Sequence, residues 1–500
     1  MSRRGFLLKA STVGLTALTG GCGADHARTA RKSVLTRGAR PHGPGPPLPR
    51  TLRQAIRGRV FEPGQPGFPS VAHLFNPRFD GVIPGAVARP IDSTDVQNAL
   101  RFTTARGLPV RARSGGHSYA GYSTGADCVV IDLRHLTSIS VDKRRRTATV
   151  GAGAQLIDVY STLARSGVTL PAGSCPSVGV SGVTLGGGFG LAARRFGLTA
   201  DNLRAVTIVT ADAKLRTVDA RTDPELLWAL KGGGGGNFGI VTKFTFNVHP
   251  IPRVATYFNV TWPWAAADDA IAAWQAWAPH TDDRATSILH LNSGSPPTIN
   301  ANGQYLGTPA SLLGLLGPLL AAPGAALTSR VALPYLDMQL LLAGCAGQAL
   351  SACHTVGTAR GGTMPRNTFT AKSDYVSRPL SRSGRAAMIA AAEVSGAGAL
   401  LCDAYGGAVS RVAPAATAFV HREQLFCIQY YGDGASNAWI DQAWRKMRPY
   451  VSGEAYQNYI DPSLQRWQRA YYAQNLSRLE AVRRRVDPHH YFNFPQAIGR

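Results

Sequence analysis

The stretch Gly173–Leu191, GSCPSVGVSGVTLGGGFGL, decides how the rest of the chain is read. It sets Gly173, Gly179, Gly182, Gly186, Gly187, Gly188 and Gly190 among small and apolar residues. Glycine costs backbone entropy on folding, but it reaches φ > 0 and lets another group come close to the main chain. Such a run suits backbone that presents N–H groups to a flat or anionic ligand. Cys175 stands near its start, and Pro176 biases that cysteine toward an extended conformation. A second glycine turn lies upstream, Arg113-Ser114-Gly115-Gly116-His117-Ser118-Tyr119. The preceding Leu108-Pro109-Val110-Arg111-Ala112 predicts a short strand from Val110 that delivers it. One turn offers an imidazole and the other a thiol, and each is a nucleophile toward an activated methyl or ring carbon. Alone, Cys175 reads as a buried structural thiol and His117 as a loop histidine; together, in these glycine frames, they favour the chemical reading.

The pair R-S-G-G-H-S and G-x-C-P-x-V-G-x-x-G-x-x-x-G-G-G-x-G resembles the FAD-linked oxidases of the berberine bridge enzyme type. That group lies within the vanillyl-alcohol oxidase and p-cresol methylhydroxylase superfamily. The resemblance runs from about Pro90 to Ile251 and again from Tyr456 to Ile498. It implies an α+β fold with a two-part FAD-binding domain of p-cresol methylhydroxylase type, plus a substrate domain with an antiparallel sheet backed by helices. It also implies doubly covalent FAD, with His117 on the flavin 8α carbon and Cys175 on C6. The cofactor contacts it implies are Arg113, Ser114, Gly115, Gly116 and Ser118 in the first turn, and Gly173, Ser174, Val178, Gly179, Gly182 and Gly190 in the second. Phe238, Gly239, Ile240 and Val241, after the five-glycine run Gly232–Gly236, and Tyr491 and Asn493 in the tail complete the set. The tail resembles the family's D-P-x-N signature, with His490 in place of the asparagine.

On the substrate side, Ala455-Tyr456-Gln457-Asn458-Tyr459-Ile460-Asp461 resembles the segment that carries the family's catalytic tyrosine, which places that role on Tyr459. The plain alternative makes Tyr456 and Tyr459 core aromatics at i and i+3. A phenol with an unperturbed pKa near 10 is a poor base at neutral pH, so it needs a nearby cation or donors; the sequence names no such partner. Asp403 and Tyr405 alternate onto one side of a predicted strand, and Gln429-Tyr430-Tyr431 is expected to face the flavin too. Asp403, Tyr405 and Gln429 are therefore candidate catalytic residues. Berberine bridge enzyme itself uses a glutamate on the strand matching Cys427–Tyr431; no acid stands there, which favours alcohol oxidation over methyl-group bridging. The resemblance also implies that Val178 lines the approach of oxygen to the flavin, a small residue there going with oxidases.

The chain has 500 residues with 44% apolar and 16% charged, which predicts a globular protein of more than one domain. Its formal charge is +24, yet no basic helix interleaved with aromatics marks a nucleic-acid binder. Ser2-Arg3-Arg4-Gly5-Phe6-Leu7-Leu8-Lys9 resembles a twin-arginine export signal, and the apolar run after it is too short to span a bilayer. The expected organisation is a signal at 1–27, a Pro/Gly/Arg-rich linker at 28–67, the FAD-binding domain at 68–252, the substrate domain at 253–455 and a returning segment at 456–500. Seven cysteines leave no zinc pattern; Cys345 and Cys353 are spaced to close a short loop in an oxidising compartment, and Cys22 faintly resembles a lipoprotein acceptor. A helix is predicted over 92–106, another over 155–166, one apolar helix over 312–327 and a terminal one over 471–485. Neither glycine block matches a phosphate-binding P-loop or a nicotinamide dinucleotide fingerprint.

The expected protein is an exported FAD oxidase that converts an alcohol or sugar hemiacetal to a carbonyl or lactone and reduces O2 to H2O2. Its partners are a small-molecule substrate, O2 and the twin-arginine machinery, without nucleic acid, metal or an integral membrane span. The alternatives are an FAD dehydrogenase using another acceptor and a secreted binding protein of the same fold without turnover.

Overall fold

In the computed structural model, which describes residues 50–356, 361–434 and 438–500, the two glycine turns touch backbone to backbone. A Cβ on Gly115 would stand 2.3 Å from the Gly179 nitrogen, and one on Gly179 would stand 2.2 Å from the Gly115 nitrogen. Only residues without side chains allow that approach. The hydroxyls of Ser114 and Ser181 both donate to the Ala152 carbonyl at 2.6 Å, so one acceptor from a third segment ties the two turns together.

The first sheet delivers the histidine turn. Strands Ala86–Arg89, Val129–Asp132 and Val110–Arg113 run parallel, with Arg59–Phe61 antiparallel at the edge. Val87, Ala88, Val130 and Ile131 are wholly buried, as parallel strands covered on both faces require. Val110–Arg113 ends at the histidine turn. A second sheet is antiparallel, in the order Ile139–Asp142, Thr147–Gly151, Ile240–Asn247, Leu203–Val209, Leu215–Asp219. The cysteine turn is anchored by helix Leu156–Arg165, whose first amides, Leu156 and Ile157, donate to the Val178 and Pro176 carbonyls at 3.0 and 3.1 Å. These are amides a helix leaves without an internal partner.

The third sheet has seven antiparallel strands: Ala326–Leu333, Ala255–Trp262, Thr298–Tyr305, Ala285–Asn292, Gly398–Ala404, Phe426–Asp433 and Phe369–Val376, in that spatial order. One face buries Val260, Leu289, Ala301, Leu400, Cys402 and Ile428 against helices Ala267–Trp277, Arg382–Ala392 and Ala438–Met447. The alternate residues form the other face, which meets the glycine turns. The C-terminal segment then returns to them: the Tyr456 hydroxyl accepts from the Gly188 and Phe189 amides at 2.9 and 3.0 Å, and Ile498 N–H donates to Asn237 Oδ1 at 3.0 Å.

Several expectations are corrected. The predicted linker is already folded from Thr51, because Leu52, Ala55, Val60 and Phe61 are buried and Arg59–Phe61 pairs with Arg89–Val87. The single helix over 312–327 is two short ones, Pro309–Leu315 and Gly317–Leu320, followed by an edge strand; Pro318 has no N–H to continue the first. The terminal helix is split into Trp467–Tyr472 and Leu476–Val486 around Ala473, which sits at φ 39°. The export signal, Cys22 and the linker up to residue 49 lie outside the described residues. No helix among the described residues is long and apolar enough to cross a membrane. Cys345 and Cys353 are joined as a disulfide.

The contact between the turns predicts that Gly179→Ala lowers the melting temperature and the flavin content together. Forcing a methyl into a closed backbone contact costs about 1–3 kcal/mol or more. Thermal unfolding and the ratio of visible to ultraviolet absorbance check it against Gly314→Ala, whose Cβ meets no neighbour.

Candidate flavin and substrate site

His117 and Cys175 converge on one residue, Ser177. The His117 Nε2 lies 3.0 Å from the Ser177 hydroxyl, and the ring stacks on Phe75 at 3.9 Å. Burial lowers the imidazole to about 3, outweighing the contact with Ser177, so His117 is neutral and keeps a lone pair. The Cys175 side chain is accessible although protein crowds the sulfur; that crowding raises the thiol, against the pull of the Ser177 hydroxyl and the Ser177 and Val178 amides.

The surrounding main chain fits a flat, anionic cofactor such as FAD. Among the described residues, the N–H groups of Gly115, Gly116 and His117 have no acceptor within the protein, and a Cβ on Gly182 would meet nothing within 4 Å. Other candidates support this surface from beneath. Arg113 is buried, donating to the Ala72 carbonyl and Asp132 at 3.0 and 3.1 Å. Burial would raise the Asp132 carboxyl, but Arg113, Arg134 and Arg89 around it hold it down at about 2. Ser118 accepts from the Tyr122 amide at 3.1 Å, and the Gly173 carbonyl accepts from Tyr160 at 2.9 Å. Gly190 packs on the Ala172 carbonyl. Ser174 is half-buried, and Val178 lies against Leu156, Tyr160 and Ala172. Phe238, Ile240 and Val241 are core residues, Gly239 abuts the Val209 carbonyl, and the five-glycine run before them is ordered, with Gly234 N–H on the Leu185 carbonyl at 2.8 Å. Of the two candidates in the tail, Tyr491 donates to the Leu108 carbonyl at 2.8 Å and Asn493 is exposed. The missing D-P-x-N asparagine leaves the tail intact, because Asp487 accepts from the Tyr491 and Phe492 amides at 2.7 and 3.0 Å. No group of three or more metal-binding side chains gathers among the described residues.

Across from the turns, the sheet face and the returning segment bring Tyr459, Asp403 and Gln429 together. Tyr459 donates to Asp403 Oδ2 at 3.0 Å, and Gln429 donates to the Tyr119 hydroxyl at 2.8 Å. Tyr119 stacks on Tyr459 at 5.5 Å and 10°. Sequence reasoning passed over Tyr119, although it stands two residues after His117. The phenol, expected beside a cation or donors, instead donates to a carboxylate. Burial raises Asp403 to about 7 and Tyr459 well above 10. Tyr405 does not join this pair: it follows the strand end, bonds Tyr375 through the hydroxyls at 2.9 Å and stacks on Phe189 at 4.8 Å. Tyr430 faces the helices, so only Gln429 and Tyr431 of that trio look toward the site.

A fold of this kind, with bare glycine backbone opposite a tyrosine–carboxylate pair, defines a flavin-dependent oxidoreductase. The family model for an FAD binding domain matches residues 84–219, and the model named berberine and berberine like matches residues 455–499. The uncharacterized FAD-linked oxidoreductase YvdP of Bacillus subtilis (strain 168) is 33% identical over 458 residues, which cover 89% of this chain and 98% of that protein. The structure of BBE-like 1 from Physcomitrella patens superimposes with a TM-score of 0.83 at 33% identity, over 90% of this chain and 99% of that one. Phl p 4, a grass pollen allergen with glucose dehydrogenase activity, gives 0.82 at 29% identity, over 89% and 98%. A Phl p 4 variant with an Asn-to-His change is a glucose dehydrogenase, and the variant that adds an Ile-to-Val change is a glucose oxidase. The chain belongs to the berberine bridge enzyme-like family of FAD-linked oxidoreductases.

The raised Asp403 carboxyl gives a pH prediction. Its unfolded value is near 4, so raising the pH from about 4 to about 7 ionises the unfolded chain first and removes stability. Asp403→Asn escapes that loss: its melting temperature relative to wild type rises across this window and is constant above it. A difference that does not change between pH 4.5 and pH 8 would contradict the assignment.

Proposed function

We propose that this enzyme oxidises the carbinol of an alcohol or a sugar hemiacetal, with FAD attached to both His117 and Cys175 and O2 as the second substrate. The observation that carries the reading is the Tyr459–Asp403 hydrogen bond opposite the two turns. FAD, when bound, supplies the two-electron acceptor for the hydride leaving the carbinol carbon. The protein handles the proton. Tyr459 oxygen takes the proton of the substrate hydroxyl as its own proton passes to Asp403 Oδ2, so no free phenolate has to form. The raised basicity of Asp403 makes it a better acceptor of that proton and the relay less uphill. Gln429 and Tyr119 fix the stacked face of Tyr459. Neutral His117 has the lone pair that bond formation at the flavin methyl requires.

Two further observations support parts of this reading. Val178 is small and half-buried beside Cys175, where the family resemblance puts the approach of oxygen, and an Ile-to-Val change accompanies oxidase activity in Phl p 4. The Cys345–Cys353 disulfide suits an oxidising compartment, in keeping with export by the signal at Ser2–Lys9. The absence of an acid among Cys427–Tyr431 argues against methyl-group bridging.

Rapid-reaction kinetics test the proposal. Anaerobic flavin reduction by substrate should rise with pH through about 7, and Tyr459→Phe or Asp403→Asn should slow it about 10²–10⁴-fold. Reduced wild type should re-oxidise quickly in air and yield H2O2, and Val178→Leu should slow that step alone. Re-oxidation over minutes in wild type would make the enzyme a dehydrogenase.

A further inference from the structure

Ser177 stands between the two candidate attachment points. Its hydroxyl lies 3.0 Å from His117 Nε2, and the same hydroxyl acts as a donor toward the Cys175 sulfur. The residue is only 1% exposed. Its backbone is fixed from both sides. The Pro176 and Val178 carbonyls accept from the first amides of helix Leu156–Arg165 at 3.1 and 3.0 Å. The Ser177 carbonyl itself lies 2.9 Å from where a Cβ on Gly115 would stand. On so constrained a turn the hydroxyl is held between imidazole and thiol.

Among the described residues, nothing else near Cys175 is placed to take its proton. Reactive cysteines usually owe their thiolate to a nearby cation or a metal. Here burial holds the thiol above its ordinary range, and the groups that oppose burial are uncharged hydrogen-bond donors. The ionisable neighbours are Tyr119 and Tyr431. Burial pushes the first well above 10 and the second up to about 12, so neither phenol is a base at neutral pH. His117 is neutral at that pH, with Nε2 on Ser177 and no hydrogen bond at Nδ1 among the described residues.

We infer that Ser177 is the proton carrier for attachment of FAD to this chain, serving His117 first and Cys175 second. The inference rests on the proposed double attachment. While the Ser177 oxygen accepts from Nε2–H, the His117 lone pair is at Nδ1, the nitrogen left open to bond the flavin methyl carbon. That bond replaces a methyl C–H. The methyl proton and the Nε2 proton leave, two electrons reduce the flavin, and O2 takes them up as H2O2. Nε2 is then an acceptor only. Ser177 must now donate to it and accept the Cys175 S–H proton, so the thiolate forms as Nε2 is protonated. The sulfur replaces the hydrogen on ring carbon C6, two more electrons reduce the flavin, and a second O2 leaves as H2O2.

The test follows bond formation, with no turnover assay. Full-length protein from riboflavin-starved cells is mixed with FAD, quenched in acid at timed intervals, alkylated with iodoacetamide and digested. Peptide masses report each bond. Without O2, wild type should stop with FAD on His117 and an alkylatable Cys175, and admitting air should complete the Cys175 bond. Ser177→Ala should still bond His117 but form the Cys175 bond about 10²–10⁴-fold more slowly at neutral pH. Between about pH 7 and 9 that slow step should speed up about tenfold per pH unit, as hydroxide supplies the thiolate; wild type should show no such rise. Ser177→Thr keeps the hydroxyl and should behave as wild type. His117→Ala removes the final proton acceptor, so it should share the pH-relieved delay at Cys175 and reach the same final bond; it decides the matter if Ser177→Ala does not fold. FAD binding before linkage and melting temperature report folding. A Cys175 bond that precedes the His117 bond, or forms in Ser177→Ala at the wild-type rate, overturns the inference. A delay that pH does not relieve also overturns it, because mere packing by Ser177 explains it. These outcomes leave double attachment standing. Wild type that releases all its FAD on denaturation, or bonds it through one residue alone in air, overturns the double-attachment reading and the inference with it.

Discussion

The backbone contact between Gly115 and Gly179 is the constraint on which the rest of the structure depends. The histidine turn rides on a largely parallel sheet and the cysteine turn on a helix beside an antiparallel one. Two such units have no inherent reason to bring a histidine and a cysteine to one serine. Bare glycine on both sides lets the chains close to van der Waals distance, and Ser114 and Ser181 share Ala152 to hold that register. Ser177 then faces His117 and touches the surroundings of Cys175 at once. The price in backbone entropy is concentrated in the two glycine turns.

The returning C-terminal segment supplies the second half of the site. Tyr456 uses its hydroxyl to clamp the amides of Gly188 and Phe189, which fixes Tyr459 three residues later against Asp403. A buried ion pair, Lys372 with Asp461 at 3.0 Å, secures the same segment to the sheet. The proposed base would thus be built from a residue near the end of the chain and a strand in its middle. Its basicity arises from burial of a carboxyl group beside a phenol, with no cation involved.

The sequence exposed the cofactor half of this arrangement and little of the substrate half. Glycine runs flanking a histidine and a cysteine are local signals, and helices such as Ser93–Ala105, capped by Asp92, follow from short-range chemistry. Strands such as Ala285–Asn292 and Thr298–Tyr305 were missed because long-range pairing defines them; asparagine and glycine in their sequences argue against strand on propensity alone. Tyr405 keeps to the side of Asp403, as alternation implies, but its hydroxyl is taken up by Tyr375 rather than by Tyr459 or Asp403. Tyr119 acquires meaning only through its stacking on Tyr459 and its hydrogen bond from Gln429.

The most direct measurement is the mass of the flavin-bearing peptide after proteolysis of the denatured, flavin-loaded enzyme. If the two turns enclose one isoalloxazine, a single species should contain the His117 peptide and the Cys175 peptide joined through one FAD, and His117→Ala should leave flavin on the Cys175 peptide alone. Recovery of both peptides unmodified, with all flavin released on denaturation, would contradict the account.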